Sequence, residues 1–222
     1  MSERTSVVST APRFLVVLDV DSTLIENEAI ELLAAEAGVL DHVARVTERA
    51  MRGELDFAES LGERVSLLAG LPVSVFDAVR PRIVLTPGAD TLIDGVHRAG
   101  GAICVVSGGF HELLDPLAET LGLDGWHANR LAVRDGILTG MVDGDIVDAR
   151  AKETRLRAWA DGWNIPLART VAIGDGANDL EMMAAAGLGV AFDAKPAVRA
   201  RADVVLPDRD LSAALPLLGL PR

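Results

Sequence analysis

The sequence predicts an α/β fold, with a doubly wound parallel sheet as the core and a small helical cap domain inserted into it. Short apolar runs typical of buried strands alternate with segments whose apolar residues recur at three- and four-residue spacings. This alternation favours a parallel sheet with helices on both faces. An all-helical stretch over residues 25–80 interrupts the alternation, so we expect it to form the cap. The core would then comprise residues 1–24 and 81–222.

The first strand pattern is FLVVL, residues 14–18, which follows Ala11-Pro12. A short apolar run without polar alternation is typical of a strand that is buried on both faces, as in parallel sheets. Two carboxylates one residue apart, Asp19 and Asp21, come directly after it. Residues i and i+2 of an extended strand point the same way. We therefore expect both carboxylates to address one site, although the chain must leave the strand there.

Two helical patterns make up most of the predicted cap: LDHVARVTERAM and DFAESLGERVSLLAG. Their apolar residues lie three or four positions apart, which places them on one face of a helix. Leu71-Pro72 and Pro81 mark the end of this stretch, because proline is not tolerated in the interior of a helix.

The remainder of the chain returns to alternating strands and helices. We expect helices at GADTLIDGVHRAG, at residues 111–121, at about residues 151–162 and at ANDLEMMAAAG. We expect strands at AICVV, TVAIGD, LGVAF and DVVL, with SGGF as a turn after AICVV. In ANRLAVRDGILTGMV, apolar and polar residues alternate on both sides of Arg134-Asp135-Gly136. This pattern predicts a β-hairpin.

Composition and charge exclude several classes of function. The chain has 222 residues, half of them apolar, and one cysteine, Cys104. A single cysteine cannot form an intramolecular disulfide, and no cysteine–histidine cluster has zinc-site spacing. The net charge of −12 would repel a nucleic acid over most of the surface. No segment reaches the roughly 18 consecutive apolar residues of a membrane helix, so we expect a soluble cytoplasmic protein without nucleic-acid or membrane partners.

Polar side chains follow three of the predicted strands. Ligands of doubly wound sheets bind outside the carboxyl ends of the strands, so we expect these side chains to converge. They are Asp19 and Asp21 after the first strand, Ser107 after the second, Asp175 and Asp179 after VAIG, and Lys152 at the start of the preceding helix. Each alone has an ordinary explanation as a turn residue, a helix cap or a solvated surface residue. Their joint placement favours a site.

The chemistry of this set predicts phosphoryl transfer. Carboxylate oxygens at a sheet edge suit Mg²⁺, which takes few protein ligands and keeps several waters. Ser107, the backbone N–H groups of Gly108-Gly109 and the following helix N-terminus suit a phosphate. Lys152 would neutralise the charge that spreads over a phosphoryl group in the transition state.

At this point the sequence resembles a known family. DVDST, SGGF, Lys152 and GDGANDLEM resemble the four motifs of the haloacid dehalogenase superfamily, and VTERAMRGELDFAESL is similar to the cap of its phosphoserine phosphatases. The resemblance covers nearly the whole chain after Arg13. It implies a phosphoric monoester hydrolase that converts O-phospho-L-serine to L-serine and phosphate with Mg²⁺, through an aspartyl-phosphate, as the final step of L-serine biosynthesis.

The resemblance also implies catalytic roles. Asp19 would be the nucleophile, and Asp21 would act as general acid to the leaving alcohol and then as general base to water. Mg²⁺ would be held by Asp19, the backbone carbonyl of Asp21, and Asp175. A carboxylate attacks an anionic phosphate poorly unless a cation offsets the repulsion. Two carboxylates this close tend to raise one pKa, which suits an acid–base role for Asp21.

The phosphoryl group has its own implied ligands. By resemblance, Ser107, Gly108 and Lys152 hold it, and Asn178 matches a further site residue in the loop after the third strand. Asp179 would lie behind these residues, where it orients Lys152 or a metal-bound water.

The cap is expected to provide specificity. By resemblance, Glu28 meets the ammonium group of the substrate and Arg64 binds its carboxylate, for which a two-pronged donor is well suited. Met51 and Phe57 resemble apolar lid residues that exclude water on closure.

Alternatives to these cap assignments are open at this stage. Glu28 could be an ordinary acid in a first helical turn, and Arg64 could pair with Glu59 or Glu63 on a solvated face. Gly62 stands where the family usually has a basic residue, and glycine within a helix costs about 1 kcal/mol relative to alanine.

Other functions remain open as well. The same core could belong to a different small-molecule phosphatase, to a phosphotransferase acting on homoserine, or to a ligand-binding module without catalysis. Few residues precede Phe14, so we expect no serine-binding regulatory domain ahead of the core. The small-molecule substrate is compatible with either a monomer or a homodimer.

Overall fold

A seven-stranded sheet forms the centre of the computed structural model, which describes residues 11–51 and 54–222 apart from the side chain of Met51. Its strands are β1 Leu15–Leu18, β2 Ala102–Phe110, β3 Gly125–Arg134, β4 Ile137–Asp143, β5 Thr170–Gly174, β6 Leu188–Phe192 and β7 Val204–Leu206. Their order is β4-β3-β2-β1-β5-β6-β7. All neighbours are parallel except β3 and β4. The predicted doubly wound fold is confirmed.

Helices cover both faces of this sheet. They are α1 Ala29–Glu36, α2 Leu40–Met51, α3 Phe57–Ser66, α4 Val75–Val79, α5 Ala89–Arg98, α6 His111–Leu121, α7 Ala149–Gly162, α8 Leu180–Ala185 and α9 Pro196–Arg199. Helices α5 and α6 pack on one face with the 3₁₀ turns of Leu211–Leu218, and α7, α8 and α9 pack on the other. Within the described ranges, none of the helices has both the length and the apolar character needed to cross a membrane.

Strand β1 lies in the middle of the sheet and is buried on both faces, as its sequence predicts. Val16 and Leu18 pack into the core on the side of α5 and α6. Leu15 and Val17 pack into the core on the side of α7 and α8. All four side chains are fully buried, so the end of β1 is held rigidly at the carboxyl edge of the sheet.

The expectation that SGGF forms a turn was wrong. Strand β2 continues through these residues to Phe110 and remains in the sheet. Its register with β3 shifts between Val106 and Phe110, so the extra residues are accommodated in an irregular strand rather than in a turn. Such bulges leave one strand with residues that have no direct partner on the other.

The hairpin around Arg134-Asp135-Gly136 has the predicted form. Strands β3 and β4 pair antiparallel, and the two turn residues Asp135 and Gly136 have φ values of 52° and 76°. Positive φ at both central residues is the geometry that matches the twist of a two-residue hairpin. Aspartate followed by glycine suits this turn because both residues tolerate the left-handed region.

Helices α1 to α4 form a layer over the carboxyl edge of the sheet. They share an apolar cluster that includes Leu33, Leu61 and Phe76 and that also takes in Phe110 and Leu138 of the core. The sequence indicated α2 and α3, while α1 and the single-turn α4 were not foreseen. The assignment of residues 25–80 to a separate cap domain stays a prediction.

The solvated face of α3 contains Gly62, and its replacement provides a test of cap stability. A methyl group at this position would meet nothing within 4 Å. We expect Gly62→Ala to raise the free energy of unfolding by about 1 kcal/mol, because alanine has a higher helix propensity than glycine. Urea denaturation of both proteins measures this. Gly95→Ala is the contrasting control, since its methyl group would lie 2.5 Å from Leu215; equal effects of the two changes would contradict the assignment of Gly62 to an open face.

Candidate active site

The chain leaves β1 through a tight loop that displays both acidic residues. The backbone N–H of Asp19 still donates to the carbonyl of Ile173 on β5, at 2.9 Å. Ser22 then takes a φ of 58°, a conformation that is costly for a residue with a side chain and that often occurs at functional sites. Asp19 and Asp21 line one cavity, as the sequence predicts.

Lys152 is fully buried beneath this cavity, although a lysine at such a position is ordinarily solvated. It projects from the first turns of α7, which begins at the N-cap Asp148. Its Nζ donates to Oδ1 of Asp19 at 2.5 Å and to Oδ1 of Asp179 at 2.7 Å. Burial lowers the pKa of Lys152, but the carboxylates of Asp179 and Asp19 outweigh burial and raise it above its usual range. The neighbouring carboxylates therefore favour the charged form of Lys152.

Three buried carboxylates form a cluster that could hold a metal ion. Ligand atoms of Asp19, Asp175 and Asp179 lie within 4.8 Å of one another. Oδ1 of Asp175 is buried and has no hydrogen-bond partner. Burial raises the pKa of Asp175 to about 7, and the negative charge of Asp179 adds to the effect. Burial likewise raises the pKa of Asp19 well above its ordinary value. Hard oxygen donors that include an orphaned oxygen fit a divalent cation.

Asp21 is oriented by two donors. The backbone N–H of Ala29, in the first turn of α1, donates to its Oδ1 at 2.5 Å, and the hydroxyl of Ser107 donates to its Oδ2 at 2.9 Å. Burial raises the pKa of Asp21, and these two hydrogen bonds limit the increase. A carboxyl group with a raised pKa is suited to proton transfer near neutral pH.

Arg64 is buried on the cap side of the cavity, which rules out pairing on a solvated face. Its Nε donates to the carbonyl of Ser60 at 3.0 Å, and one terminal nitrogen donates to the hydroxyl of Thr47 at 2.9 Å. Within the described ranges, no carboxylate lies within 4 Å of it. Burial accordingly lowers the pKa of Arg64. A buried guanidinium without an ionic partner is costly, so this position favours an anionic ligand.

Glu28 lines the same cavity as Arg64, and its negative charge partly offsets the effect of burial on the pKa of Arg64. Its Oε1 accepts a hydrogen bond of 2.6 Å from the hydroxyl of Ser22. Burial raises the pKa of Glu28 well above its ordinary value, and the nearby charge of Asp21 adds to this. Glu28 immediately precedes α1 and makes no side-chain hydrogen bond to it, and the acid in the first turn of α1 is Glu31, so the alternative of an ordinary first-turn acid is not supported.

The structure brings most of the predicted site residues to one cavity. Its walls contain Asp19, Asp21, Glu28, Thr47, Phe57, Arg64, Gly108, Gly109 and Asn178, with Ile30, Ala50 and Leu61. Four further predicted residues are buried next to these walls. Ser107 bonds Asp21 and Lys152 bonds Asp19, while Asp175 and Asp179 form the carboxylate cluster with Asp19. The side chain of Met51, the other predicted lid residue, lies outside the described residues.

Thr47 was missed from the sequence, and Gly109 was named only for its backbone N–H and not for its close approach to Asp21. Thr47 is a buried hydroxyl that meets Arg64 only after α2 and α3 have packed together. A Cβ atom at Gly109 would lie 2.7 Å from Oδ2 of Asp21. The repeated glycine of SGG was the available signal for this close approach, whereas nothing distinguished Thr47 from an ordinary helical threonine.

Comparisons with known proteins agree with this geometry. The sequence profile of the haloacid dehalogenase-like hydrolases matches residues 16–184. This match covers the carboxyl ends of β1, β2 and β5, together with α7. The chain belongs to the haloacid dehalogenase-like hydrolase family.

Its relatives within that family include several phosphoserine phosphatases. The chain is 57% identical to one from Streptomyces coelicolor over 94% of its own length and 51% of that protein. It is 50% identical to one from Streptococcus thermophilus over 92% of its own length and 95% of that protein. The chain thus spans about half the length of the first relative and nearly all of the second.

Solved structures give the same picture. A phosphoserine phosphatase that carries a phospho-aspartyl intermediate analogue matches with a TM-score of 0.90 and 44% identity, over 93% of this chain and 99% of that one. A substrate-bound phosphoserine phosphatase matches with a TM-score of 0.90 and 43% identity, over 92% and 98%.

The buried carboxylate of Asp175 predicts a pH-dependent stability. Its pKa of about 7 in the folded protein lies above the ordinary value of 3.8, so between these values the unfolded chain releases a proton that the folded protein retains. Rising pH therefore destabilises the metal-free protein, by up to roughly 4 kcal/mol at pH 8. We expect Asp175→Asn to remove this pH-dependent loss of stability. The free energy of unfolding of the variant, relative to that of the wild type, should therefore increase from pH 4 to pH 8.

Urea unfolding in the presence of a chelator measures both stabilities. Addition of Mg²⁺ at pH 8 should stabilise the wild type more than Asp175→Asn, because the asparagine amide is a weaker ligand than the carboxylate that it replaces. Parallel pH profiles for the two proteins would contradict the raised pKa of Asp175.

Proposed function

We propose that this protein is a Mg²⁺-dependent phosphoserine phosphatase that hydrolyses O-phospho-L-serine to L-serine and phosphate. One observation carries the proposal: a single cavity joins a buried carboxylate cluster with a buried lysine at its core end to an unpaired arginine and a glutamate at its cap end. The phosphoserine phosphatases among its relatives support the same conclusion.

The cap end of the cavity complements an amino acid. Arg64 has no carboxylate within 4 Å among the described residues, and three of its four terminal N–H groups remain after it has bonded Ser60 and Thr47. A substrate carboxylate would accept hydrogen bonds from these free N–H groups and offset the cost of burying the guanidinium. Glu28, in the same cavity, would accept the ammonium group, which would in turn favour its ionised form.

The core end supplies the chemistry of ester hydrolysis. In the proposed mechanism, a carboxylate oxygen of Asp19 attacks phosphorus, the bond from phosphorus to the serine oxygen breaks, and Asp21 gives its proton to that oxygen. Asp21 then removes a proton from water, which attacks phosphorus and releases phosphate from Asp19. The raised pKa of Asp21 supports both steps, because the group can be protonated first and deprotonated afterwards.

Lys152 and the β2 loop are proposed to bind the phosphoryl group. Lys152 is adjacent to the proposed nucleophile and its charged form is favoured by the neighbouring carboxylates, so it can offset the charge of the equatorial oxygens. Ser107 and Gly108 would donate to those oxygens, and Asn178 lines the same end of the cavity. The hydrogen bond from Lys152 to Asp179 supports a positioning role for Asp179.

The proposed metal ligands are Asp19, the backbone carbonyl of Asp21, and Asp175. The unpartnered Oδ1 of Asp175 and the mutual proximity of the carboxylates support this set. When bound, Mg²⁺ would offset the repulsion between Asp19 and an anionic phosphate. Phe57, which lies over Gly108, and Met51 are proposed to close the cavity against water. A cytoplasmic location and a monomeric or homodimeric state stay predictions.

Phosphate release measures the proposed reaction directly. We expect the wild type to release phosphate from O-phospho-L-serine with Mg²⁺ and to stop when the metal is chelated. Asp19→Asn should have no turnover while retaining its fold by circular dichroism, because an amide cannot attack phosphorus. Turnover by a folded Asp19→Asn protein would contradict the nucleophile. Binding of phosphoserine without turnover by the wild type would favour a ligand-binding module, and transfer of phosphate to added homoserine would favour a phosphotransferase.

Mutations at the two ends of the cavity should have different effects on the hydrolysis of two substrates. Lys152→Met should abolish hydrolysis of phosphoserine and of nitrophenyl phosphate alike, since both carry the phosphoryl group. Arg64→Ala removes the proposed partner of the substrate carboxylate, a group that phosphoserine has and nitrophenyl phosphate lacks. We expect a loss of roughly 1.5–3 kcal/mol, or about one to two decades of kcat/KM, on phosphoserine, and a change of a few-fold on nitrophenyl phosphate.

Thr47→Val is the matched milder change, because it keeps Arg64 and removes one of its anchors. It should shift the ratio of the two kcat/KM values in the same direction as Arg64→Ala, but less. Steady-state kinetics of all three variants on both substrates provide the measurement. Unchanged phosphoserine kinetics in Arg64→Ala would favour a phosphatase of broader specificity.

A further inference from the structure

Asn129 is a buried polar residue that neither the motifs nor the proposed mechanism uses. It lies on β3 with 1% of its surface exposed. Its Nδ2 donates to the carbonyl of Gly108 at 2.8 Å, and its Oδ1 accepts from the backbone N–H of Val147 at 2.8 Å. The two partners define the orientation of the amide, because one can only accept and the other can only donate.

The irregularity of β2 explains why Gly108 needs this side chain. Val106 lies opposite His127, and Phe110 lies opposite Asn129, so residues 107–109 face residue 128 alone. The backbone of β3 cannot supply a regular ladder partner for each of the extra residues. The amide of Asn129 takes the place of the missing ladder bond at the carbonyl of Gly108.

The glycines of this loop create a need for such a constraint. A Cβ atom at Gly108 would lie 2.7 Å from Cζ of Phe57, and one at Gly109 would lie 2.7 Å from Oδ2 of Asp21. Both positions therefore require glycine. A peptide between two glycines has few steric restrictions on its rotation, so its orientation has to be fixed by its hydrogen bonds.

The carbonyl of Gly108 and the N–H of Gly109 belong to the same peptide group. While Asn129 holds the carbonyl, the N–H donates to Oγ of Ser107 at 2.7 Å. Ser107 Oγ is thereby engaged as an acceptor, and its own proton is donated to Asp21 at 2.9 Å. A continuous series of hydrogen bonds thus runs from Asn129 through one peptide group to Ser107 and then to Asp21.

We propose that Asn129 is a positioning residue that fixes the Gly108–Gly109 peptide, and through it holds the Ser107 side chain beside Asp21, in the β2 loop that is proposed to receive the phosphoryl group. The inference rests on the proposed function, because it assumes that the β2 loop binds phosphate. Asn129 would act on the phosphate end of the cavity and not on the end that contains Arg64 and Glu28.

Two variants at this position separate positioning from simple filling of the core. Asn129→Asp keeps the shape and the acceptor for Val147 but presents an oxygen to the carbonyl of Gly108. Asn129→Ser is shorter and leaves that carbonyl without its donor. Thr170→Val is the matched control, because Thr170 is equally buried, donates to the carbonyl of Leu167 and accepts from Gly187, but lies at the other end of the sheet.

The decisive measurements are the inhibition constants of the two products, inorganic phosphate and L-serine, together with kcat/KM on phosphoserine and on nitrophenyl phosphate. For both Asn129 variants we expect the constant for phosphate to rise about 10-fold or more and that for L-serine to stay within about two-fold. We expect kcat/KM to fall about 10- to 100-fold on both substrates. Thr170→Val should lower the melting temperature and leave all four constants unchanged.

The inference is overturned if a folded Asn129 variant binds inorganic phosphate as tightly as the wild type, or if Thr170→Val weakens phosphate binding equally. The rise in melting temperature produced by added phosphate measures binding without turnover, so it applies to any variant that folds and also to a wild type that fails to hydrolyse phosphoserine. A wild type that fails to hydrolyse phosphoserine would reject the proposed function. If added phosphate still raises the melting temperature of that wild type but not of the Asn129 variants, the positioning role is supported all the same. Failure of both variants to fold, while Thr170→Val folds, would assign Asn129 to stability and would also overturn the inference.

Discussion

The ion pairs of Lys152 are the interaction on which the site depends. A lysine with no exposed surface is stable only if carboxylates surround it, and three buried carboxylates are stable only if a cation lies among them. Lys152 contacts Asp19 and Asp179 directly, which joins the ends of β1 and β5 to α7. The position of Asp19, the proposed nucleophile, is therefore determined by the packing of α7 on the sheet, and not by the loop after β1 alone.

The two ends of the cavity are charged in opposite ways. At the core end, carboxylates outnumber the cation that contacts them, which leaves Oδ1 of Asp175 without a partner. At the cap end, the guanidinium of Arg64 is held by neutral groups, the carbonyl of Ser60 and the hydroxyl of Thr47. The core end thus has a carboxylate oxygen without a partner, and the cap end has a cation without a carboxylate partner. A metal ion at one end, and a ligand with a carboxylate and an ammonium group at the other, would satisfy these groups together, which is the basis for proposing phosphoserine rather than a simple phosphate ester.

Local patterns were sufficient to predict the sheet and the residues at its carboxyl edge. An apolar run predicts a buried strand, and an Asp-Gly pair predicts a tight hairpin, because both depend on neighbouring residues. The burial of Lys152, the hydrogen bond of Thr47 and the two contacts of Asn129 depend on partners distant in the sequence. The continuation of β2 through SGGF was missed for the same reason: glycine pairs favour turns locally, but the pairing of Phe110 with Asn129 on β3 keeps the end of this segment in the sheet.

The borders of the sheet limit how copies of this protein can associate. Strand β4 is an outer strand, but the backbone of residues 70–73 pairs with it: Gly70 donates to the carbonyl of Leu138, and Leu138 donates to that of Leu71. The opposite border, β7, is only three residues long. An outer strand that is covered or very short offers little template for strand addition by another molecule. Any homodimer would therefore form through side-chain surfaces, and the sheet itself is protected against edge-to-edge aggregation.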